Sequence, residues 1–451
     1  MRTNASAKER AEYGRGRRDV ASRAAQASLR PKERRFDPME AHRASEEGRV
    51  PQLLPLKYAR MKASPFAFFR GAVSIMAADL GRLPHSGLLV QLCGDAHVQN
   101  LGSFAAPDGN LVFDLNDFDE TIRGPWEWDV KRMAASIVLA GRESAHDRVS
   151  CRSAAEAFAE SYLGAMAEFS RAPILAVARR QIHRLGRIGP IQAALRQSER
   201  TRPLDLLEKL TEPDGSGWRR FRDLRPVSWR IRGRQAGAVW GSLAAYRRNL
   251  APERRRLFDL FRGVDIGFKV VGTGSVGLRD YVALFEGNGV GDPMFLQIKQ
   301  EVASAYARVL PGAVYRHQGR RAAEGQRAIQ PVSDLLLGWT GMGGRHYLVR
   351  QLNDHKGSID IQQLRGGGLA RLALVAGELL ARGHARSGDA CAIVGYCGSG
   401  GKMARALRDF ACEYADQTEA DYGVFLAAVG SGKFKAAGQD STKPALPRRK
   451  R

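Results

Sequence analysis

One stretch of the chain, residues 90–120, concentrates side chains that bind metals and move protons. These side chains are carboxylates, an amide and an imidazole, and they are Asp95, His97, Asn100, Asp117, Asp119 and Glu120. The apolar runs 88–92 and 111–115 precede the two halves of this set and predict short strands, with a hairpin at 107–110 between them. Carboxylates this close together repel one another and are costly to bury unless a cation neutralises them. We call the set the acidic cluster and expect it to hold a divalent metal.

The spacing within the acidic cluster matches the needs of phosphoryl transfer. Asp95 and Asn100 are separated by four residues, and Asp117 follows 17 residues after Asn100. A kinase-type enzyme uses one carboxylate to orient or deprotonate the attacking hydroxyl, and an amide with a second carboxylate to hold Mg²⁺ on the phosphates. We therefore expect Asp95 as the base, and Asn100 and Asp117 as metal ligands. Asp119 is expected at a second metal or an acceptor amine. His97 is a second catalytic candidate, whose alternative role is a hydrogen bond within the loop. The alternative to the whole assignment is a solvated acidic loop beside a hairpin.

The stretch resembles the aminoglycoside phosphotransferase and choline kinase branch of the protein-kinase-like fold, whose pattern is H-G-D-x-H-x-x-N followed by I-D-[FW]. It departs at Cys93, where that branch usually has His. The segment 124–129 resembles that branch's G-D-P-x-x-D, which opens the next helix. More narrowly, residues 50–430 resemble a bacterial family of unassigned function, DUF2252, through SPFAFFRG, GDAHVQN, DLNDFDE and GPWEWDVKR. The kinase-like resemblance implies ATP and Mg²⁺ as cofactors, whereas the DUF2252 resemblance implies no particular reaction.

A glycine-rich loop follows much later in the chain. Its three glycines, in the pattern G-x-G-x-x-G, are Gly272, Gly274 and Gly277. A dinucleotide-binding loop of this pattern would be followed by a helix, but here the alternating run 278–285 predicts a strand. Strand, loop and strand form the hairpin that kinases fold over ATP phosphates. The alternative is an ordinary glycine-rich hairpin.

The next predicted strand, 294–299, ends at Lys299, the position of the phosphate-binding lysine in such a lobe. This lysine needs a carboxylate partner to fix it. Glu301 is too close in sequence to face back from a later helix, so we expect Glu324, within the helical segment 320–330, to be the partner. The alternative for Lys299 is an ordinary surface position.

The elements of a kinase are thus present in an altered order, with the catalytic-type loop before the glycine loop. We predict an α+β, protein-kinase-like two-lobed fold that is circularly permuted, with a large helical lobe and a small antiparallel-sheet lobe. Circular permutation costs little stability where the original termini can be joined at the surface. The expected division is a disordered basic arm 1–50, a helical lobe 51–258, a β-rich nucleotide lobe 259–356, a helical segment 357–430 that packs on the large lobe, and a disordered basic tail 431–451. If this is right, one nucleotide contacts both Lys299 and Asp117, so their charged atoms lie within roughly 10 Å.

Two further segments are secondary to this scheme. A second H-x-R-x-G-D at 384–389 lacks the later Asn and the D-F strand, so we interpret it as a supporting or substrate-side segment. The region 175–260 is rich in arginine and is interpreted as a solvated face.

The composition is that of a globular protein of 451 residues with an unusual net charge of +24. Much of the excess lies in the segments 2–35 and 443–451, which leaves nucleic acid open as a partner without favouring it. The five cysteines show no paired spacing, so reduced thiols and a cytoplasmic location are expected. No apolar run reaches 18 residues, so no membrane span is expected. The oligomeric state is left open.

The function expected from these patterns is ATP- and Mg²⁺-dependent phosphoryl transfer to a small hydroxyl-bearing acceptor. Two alternatives keep the same fold: an AMP-transferring enzyme and a pseudokinase. Two others dispense with the glycine loop: a metal-dependent phosphodiesterase or nuclease, and a basic nucleic-acid-binding protein.

Overall fold

The computed structural model describes residues 4–107, 109–180, 189–200, 203–215, 218–312, 314–352 and 357–438. The chain is a mixed α+β protein with a large antiparallel sheet. Its helices are α1 (Ala7–Gly16), α2 (Pro38–Arg43), α3 (Leu54–Met61), α4 (Pro65–Gly71), α5 (Val73–Arg82), α6 (Trp126–Glu143), α7 (Arg148–Phe169), α8 (Ile174–Arg179), α9 (Gly189–Arg200), α10 (Pro203–Leu210), α11 (Gly233–Asn249), α12 (Pro252–Phe258), α13 (Gln318–Ile329), α14 (Gly368–Ser387), α15 (Ala390–Cys397) and α16 (Gly401–Gly430). Among the described residues, none of these helices has the length and apolar character needed to cross a bilayer.

Within the described ranges, the strands form four antiparallel sheets. They are β1 (Leu89–Leu92), β2 (Leu101–Ala105), β3 (Leu111–Leu115), β4 (Ile122–Pro125), β5 (Thr211–Pro213), β6 (Arg219–Phe221), β7 (Ser228–Arg230), β8 (Arg262–Lys269), β9 (Asp280–Glu286), β10 (Pro293–Glu301), β11 (Gly338–Met342), β12 (Arg345–Gln351) and β13 (Gly357–Ser358). The largest sheet has the order β11-β12-β10-β9-β8-β7, and the smaller ones are β13-β2-β3, β1-β4 and β5-β6. The predicted strands at 88–92 and 111–115 are therefore present, but they lie in different sheets. β1 pairs with β4, and β3 forms its hairpin with β2.

A bundle of long helices supports the acidic cluster. α6 is buried along nearly its whole length, and α7, α14 and α16 pack around it. α4 begins as its sequence predicts, because Ser64 accepts a hydrogen bond from the backbone N–H of Ala67 and Pro65 occupies the first turn. The apolar residues between 66 and 83 recur at helical spacing and predict a single helix, but the structure has two helices there, α4 and α5, interrupted at Ala72.

The six-stranded sheet includes more of the chain than the predicted lobe 259–356. β7 pairs with β8, with Ser228 opposite Lys269. α11 contributes Val239 and Tyr246 to the same hydrophobic cluster as Ile266 of β8. The end of the predicted helical lobe, residues 228–258, is therefore part of the sheet layer. Hydrophobic contacts place these residues in the sheet layer, and their arginine-rich sequence does not indicate those contacts.

The N-terminal arm is folded where the structure describes it, from residue 4, and not disordered as its composition predicts. The Arg34 side chain is only 8% exposed and makes ion pairs with Asp79 (2.9 Å) and Asp421 (2.7 Å). α1 lies against α15 so closely that a Cβ at Gly14 would come within 1.8 Å of the Ala392 carbonyl oxygen. Basic residues in the arm are thus matched by carboxylates distant in sequence, which compensates the cost of burying them.

The predicted disordered tail 431–451 is described only as far as residue 438. Phe434 is buried in a cluster with Tyr58 and Phe425, and the Ala437 N–H donates to the Pro55 carbonyl. The first residues of this segment are therefore packed on the protein, and 439–451 lie outside the described residues.

Candidate active site

The loop after β1 is shaped by a carboxylate at the start of α6. Asp129 accepts hydrogen bonds from the backbone N–H groups of Cys93 (2.6 Å) and Gly94 (2.9 Å). Gly94 has φ +86°, and a Cβ there would meet the Glu120 carbonyl oxygen at 2.1 Å, so only glycine fits this turn. His384, in the segment predicted to support the site, lies 3.3 Å from Asp129 through its Nε2. It therefore contacts the group that holds the loop.

Asp95 has one oxygen occupied and one turned toward His97. Its Oδ1 accepts from Nε (2.8 Å) and Nη2 (2.5 Å) of Arg132, which is fully buried. Its Oδ2 lies 3.6 Å from Nε2 of His97. Burial lowers the pKa of His97 to about 4, so this imidazole is neutral at pH 7. A neutral imidazole beside Oδ2 leaves that oxygen able to accept a proton from a bound hydroxyl.

Asn100 braces the loop and does not offer its oxygen to a metal. Its Oδ1 accepts from the backbone N–H groups of Asn116 (3.1 Å) and Asp117 (2.6 Å). Its Nδ2 donates to the carbonyls of Asp95 and Asp117 and contacts the Cys93 sulfur at 3.4 Å. Both lone pairs of the amide oxygen are used in this way, so the predicted role as a metal ligand does not fit the geometry.

Lys299 and the acidic cluster are brought together across about 180 residues of sequence. The Nζ atom of Lys299 lies 3.5 Å from Asp117 Oδ1 and forms a closer ion pair with Asp119 Oδ2. The expected proximity of Lys299 and Asp117 is therefore confirmed. Burial alone would lower the pKa of the Lys299 ammonium, but the carboxylates of Asp117 and Asp119 raise it above its usual value. Lys299 is thus a charged, buried cation that neutralises the acidic cluster.

The predicted partner of Lys299 is wrong. Glu324 is exposed on α13 and pairs with Arg320 at 2.7 Å. Lys299 pairs instead with Asp119 and Asp117. The buried carboxyl group of Glu301, two residues along β10, lies near this pair and 3.7 Å from Arg321 of α13. Glu301 follows Lys299 by only two residues, which argues against a partner on a later helix. Residues i and i+2 of a strand share a face, however, so the same spacing places the Glu301 side chain at this site.

The glycine loop lies against the helical part of the protein beside this site. A Cβ at Gly274 would be 3.3 Å from the Arg70 carbonyl oxygen. Arg60 donates to the Gly272 carbonyl, and the Val50 N–H donates to the Gly277 carbonyl at 2.7 Å. The loop is therefore held through its carbonyl groups by segments that precede it in the chain by more than 200 residues.

Sequence reasoning missed three cations of this site, Arg70, Arg132 and Arg321. Arg70 lies within electrostatic reach of Asp95 and Asp117, and its Nε has no hydrogen-bond partner among the described residues. Arg321 donates to the carbonyls of Asp119 (2.7 Å) and Thr121. In the sequence these arginines stand among 71 lysines and arginines, so no local signal separates them from surface charges.

The donor set fits a magnesium ion shared with a substrate better than a complete metal cage. Within the described ranges, no three His, Cys, Asp or Glu side chains are arranged to enclose a metal ion. Mg²⁺ is commonly held by one or two carboxylates, with phosphate oxygens and water completing its shell. Asp117, with 48% of its side chain exposed, and the adjacent Asp119 supply carboxylates of this kind.

The five cysteines are free thiols, in agreement with their unpaired spacing. Comparison with curated proteins and with solved structures gives no match. A family model described as an uncharacterized protein conserved in bacteria, DUF2252, matches residues 49–428. This range is most of the chain and includes the loop after β1, the glycine loop and Lys299. The protein is therefore a member of the DUF2252 family.

Proposed function

We propose that the protein is an ATP- and Mg²⁺-dependent phosphotransferase that acts on a small hydroxyl-bearing acceptor. The observation that carries the proposal is the buried Lys299, which contacts Asp117 and Asp119 beside a glycine-rich hairpin loop. Kinase-type enzymes use a lysine on the phosphates and an aspartate on their metal, and both groups must face one nucleotide. A solvated acidic loop would have no need of a fully buried lysine.

The order of elements in the sheet supports a kinase-like nucleotide lobe. β8, the glycine loop, β9, β10 with its lysine, α13 and then β11 and β12 follow one another in the chain. A protein-kinase lobe likewise has a glycine loop, a lysine strand and a following helix. Here the loop with Asp95 precedes this unit, and we interpret the chain as a circularly permuted version of that architecture. α13 contributes Arg321 where kinases use a glutamate, so its contact is made to Glu301.

In the proposed reaction, Asp95 accepts the proton of the acceptor hydroxyl through Oδ2 while Arg132 holds Oδ1. The hydroxyl oxygen forms a bond to the γ-phosphorus, and the bond from that phosphorus to the bridging oxygen of ADP breaks. Lys299 stabilises negative charge on the phosphates. Asp117 and Asp119 would hold Mg²⁺, which neutralises phosphate charge when it is bound.

Nucleotide binding and turnover can be tested with two variants that separate them. Mg²⁺-ATP is expected to raise the melting temperature of the protein. Asp117→Ala should lose this increase, whereas Asp95→Asn should keep it and lose turnover by about 10²- to 10⁴-fold, the range for a positioned base. The matched control is Asp416→Ala, because that carboxylate has 51% of its side chain exposed but lies on α16.

The result that contradicts the proposal is a melting temperature that no nucleotide changes, or one that Mg²⁺-ATP raises equally in Asp117→Ala. Mass spectrometry of protein incubated with Mg²⁺-ATP separates the reaction types, since an added phosphoryl and an added adenylyl group differ in mass. A nuclease would retain its activity in Gly274→Asp, whereas the proposed enzyme would lose nucleotide binding.

A further inference from the structure

Two half-buried arginines, Arg60 of α3 and Arg70 of α4, lie beside the glycine loop. Nη1 of Arg60 donates to the Gly272 carbonyl. The backbone of Arg70 approaches the same loop, since a Cβ at Gly274 would lie 3.3 Å from the Arg70 carbonyl oxygen. Both arginines therefore border the loop that is proposed to cover the phosphates of the nucleotide.

Neither arginine has a carboxylate of its own. Within the described ranges, Arg60 forms no ion pair, and the charged group that acts on it is Arg70, whose guanidinium adds to burial in lowering the pKa of Arg60. Burial also lowers the pKa of Arg70, while the carboxylates of Asp95, Asp117 and Glu143 oppose that shift. Two like charges thus lie near each other in a partly buried place, where their repulsion is stronger than in water.

The three carboxylates that act on Arg70 have closer partners. Two of them belong to the acidic cluster, where they pair with Arg132 and Lys299. The third, Glu143, is exposed and accepts a hydrogen bond from Ser64 Oγ at 2.5 Å. An anionic group from a bound molecule is therefore what would balance the two arginines.

Both guanidinium groups have N–H donors that a bound molecule can reach. Nε and Nη2 of Arg60, and Nη1 and Nη2 of Arg70, make no hydrogen bond to any described residue. None of these atoms is shielded from solvent, in contrast to Nε of Arg70. A guanidinium presents its N–H groups as a planar fork that matches the oxygens of a carboxylate or a phosphate. The pair can thus hold an anionic group that comes from solution.

The two arginines differ in their relation to the reacting groups. Asp95 and Asp117 act electrostatically on Arg70 but not on Arg60. Arg70 therefore lies nearer the proposed base, and Arg60 lies farther out on α3. An acceptor with its hydroxyl group at Oδ2 of Asp95 can extend past Arg70 toward Arg60. The anionic group and the reacting hydroxyl are then bound on the same side of the site.

We propose that Arg60, together with Arg70, binds an anionic group of the phosphoryl acceptor, and that the acceptor is a small hydroxyl compound with a carboxylate or a phosphate monoester. Arg60 is then the residue that selects anionic acceptors over neutral and cationic ones. The role of this site in acceptor binding rests on the proposed function, but the binding of the anion requires no nucleotide.

The test is calorimetry on the full chain without nucleotide, at roughly 0.15 M salt to screen weak surface binding. The probes are glycerate, which carries a carboxylate, and glycerol phosphate; glycerol and choline are the neutral and cationic comparison compounds. At least one of the two anions should bind saturably, and the tighter one identifies the anionic group. Arg60→Gln should weaken this binding by about 10- to 10²-fold, the range for a hydrogen bond to a charged group. The matched control is Arg371→Gln, because Arg371 is exposed on α14. It should not change the affinity.

The melting temperature with Mg²⁺-ATP is measured on the same proteins and on Arg60→Lys, which keeps a donor for the Gly272 carbonyl. The rise in melting temperature should be retained in Arg60→Lys, and its loss would assign Arg60 to nucleotide binding and overturn the proposal. Saturable binding of neither anion also overturns it, as does an equal loss of affinity in Arg60→Gln and Arg371→Gln. Anion binding that depends on Arg60 in a protein that no nucleotide stabilises would retain the anion site while rejecting the proposed phosphotransferase.

Discussion

The sharpest perturbation of the site is Lys299→Met, which removes the cation but keeps most of the side chain's volume. Lys299 is 2% exposed, and its partners differ in exposure: 19% of the Asp119 side chain is exposed, against 48% for Asp117. Water can solvate Asp117 once the lysine is gone, but it solvates Asp119 poorly. The loss therefore comes mainly from the Asp119 carboxylate, the less exposed of the two, and removal of its partner is expected to cost about 3–5 kcal/mol of the free energy of unfolding.

The measurement is urea unfolding at pH 7.5, followed by tryptophan fluorescence. The double variant Lys299→Met/Asp119→Asn should recover about half of the loss, because it removes the carboxylate left without its cation. Lys402→Met, on the exposed face at the start of α16, serves as the control and should change stability by less than about 0.5 kcal/mol. A loss below about 1 kcal/mol in Lys299→Met would refute the argument that this ion pair is buried. The argument that it is coupled would be refuted if the losses measured for Lys299→Met alone and Asp119→Asn alone simply added up to the loss of the double variant.

Three further predictions concern protonation and charge. Burial lowers the pKa of His97 from 6.5 to about 4, so on acidification the unfolded chain binds a proton before the folded protein does. The free energy of unfolding should therefore fall as the pH decreases from 6.5 toward 4. The melting temperature of His97→Asn should depend less on pH over that window. Burial raises the pKa of Asp280 from 3.8 to about 7, so the folded protein holds the proton longer and stability should fall as the pH rises between these values. Asp280→Asn should remove this dependence in urea midpoints and be the more stable protein at pH 8. Arg70→Ala should lower turnover by about 10²-fold with the Mg²⁺-ATP melting shift retained, and added guanidine should restore part of the rate; a lost melting shift would assign Arg70 to nucleotide binding instead.

Local patterns in the sequence were sufficient for many individual elements. The predicted strand runs correspond to β1, β3, β9 and β10. Helical spacing of apolar residues over 130–141, 154–169, 369–384 and 403–429 likewise predicts helices where the structure has α6, α7, α14 and α16. These predictions succeed because alternation, helical spacing and caps such as Ser64 act between residues close in the chain. The glycine loop also lies between two strands, as its flanking residues predict.

Pairing between distant charges carried no such signal. Asp95 is bound by Arg132, and Lys299 by Asp119, through contacts that span 37 and 180 residues. Glu324 is at a plausible position in the helix, yet the direction of its side chain takes it to solvent and Arg320. The rotation of a helix about its axis depends on which face packs, and that depends on the rest of the fold.

The amino-acid sequence by itself determined the membership in a family, the strand and helix types, and the concentration of acidic side chains at residues 95–120. Only the tertiary structure decided that the basic N-terminal arm is folded, that Asn100 braces a loop, and that Glu301 belongs to the site. The physical reason is that periodicity and capping are local, whereas the cost of burying a charge is recovered only where the folded chain supplies its partner. For Arg34 those partners are Asp79 and Asp421, which lie 45 and 387 residues away in sequence.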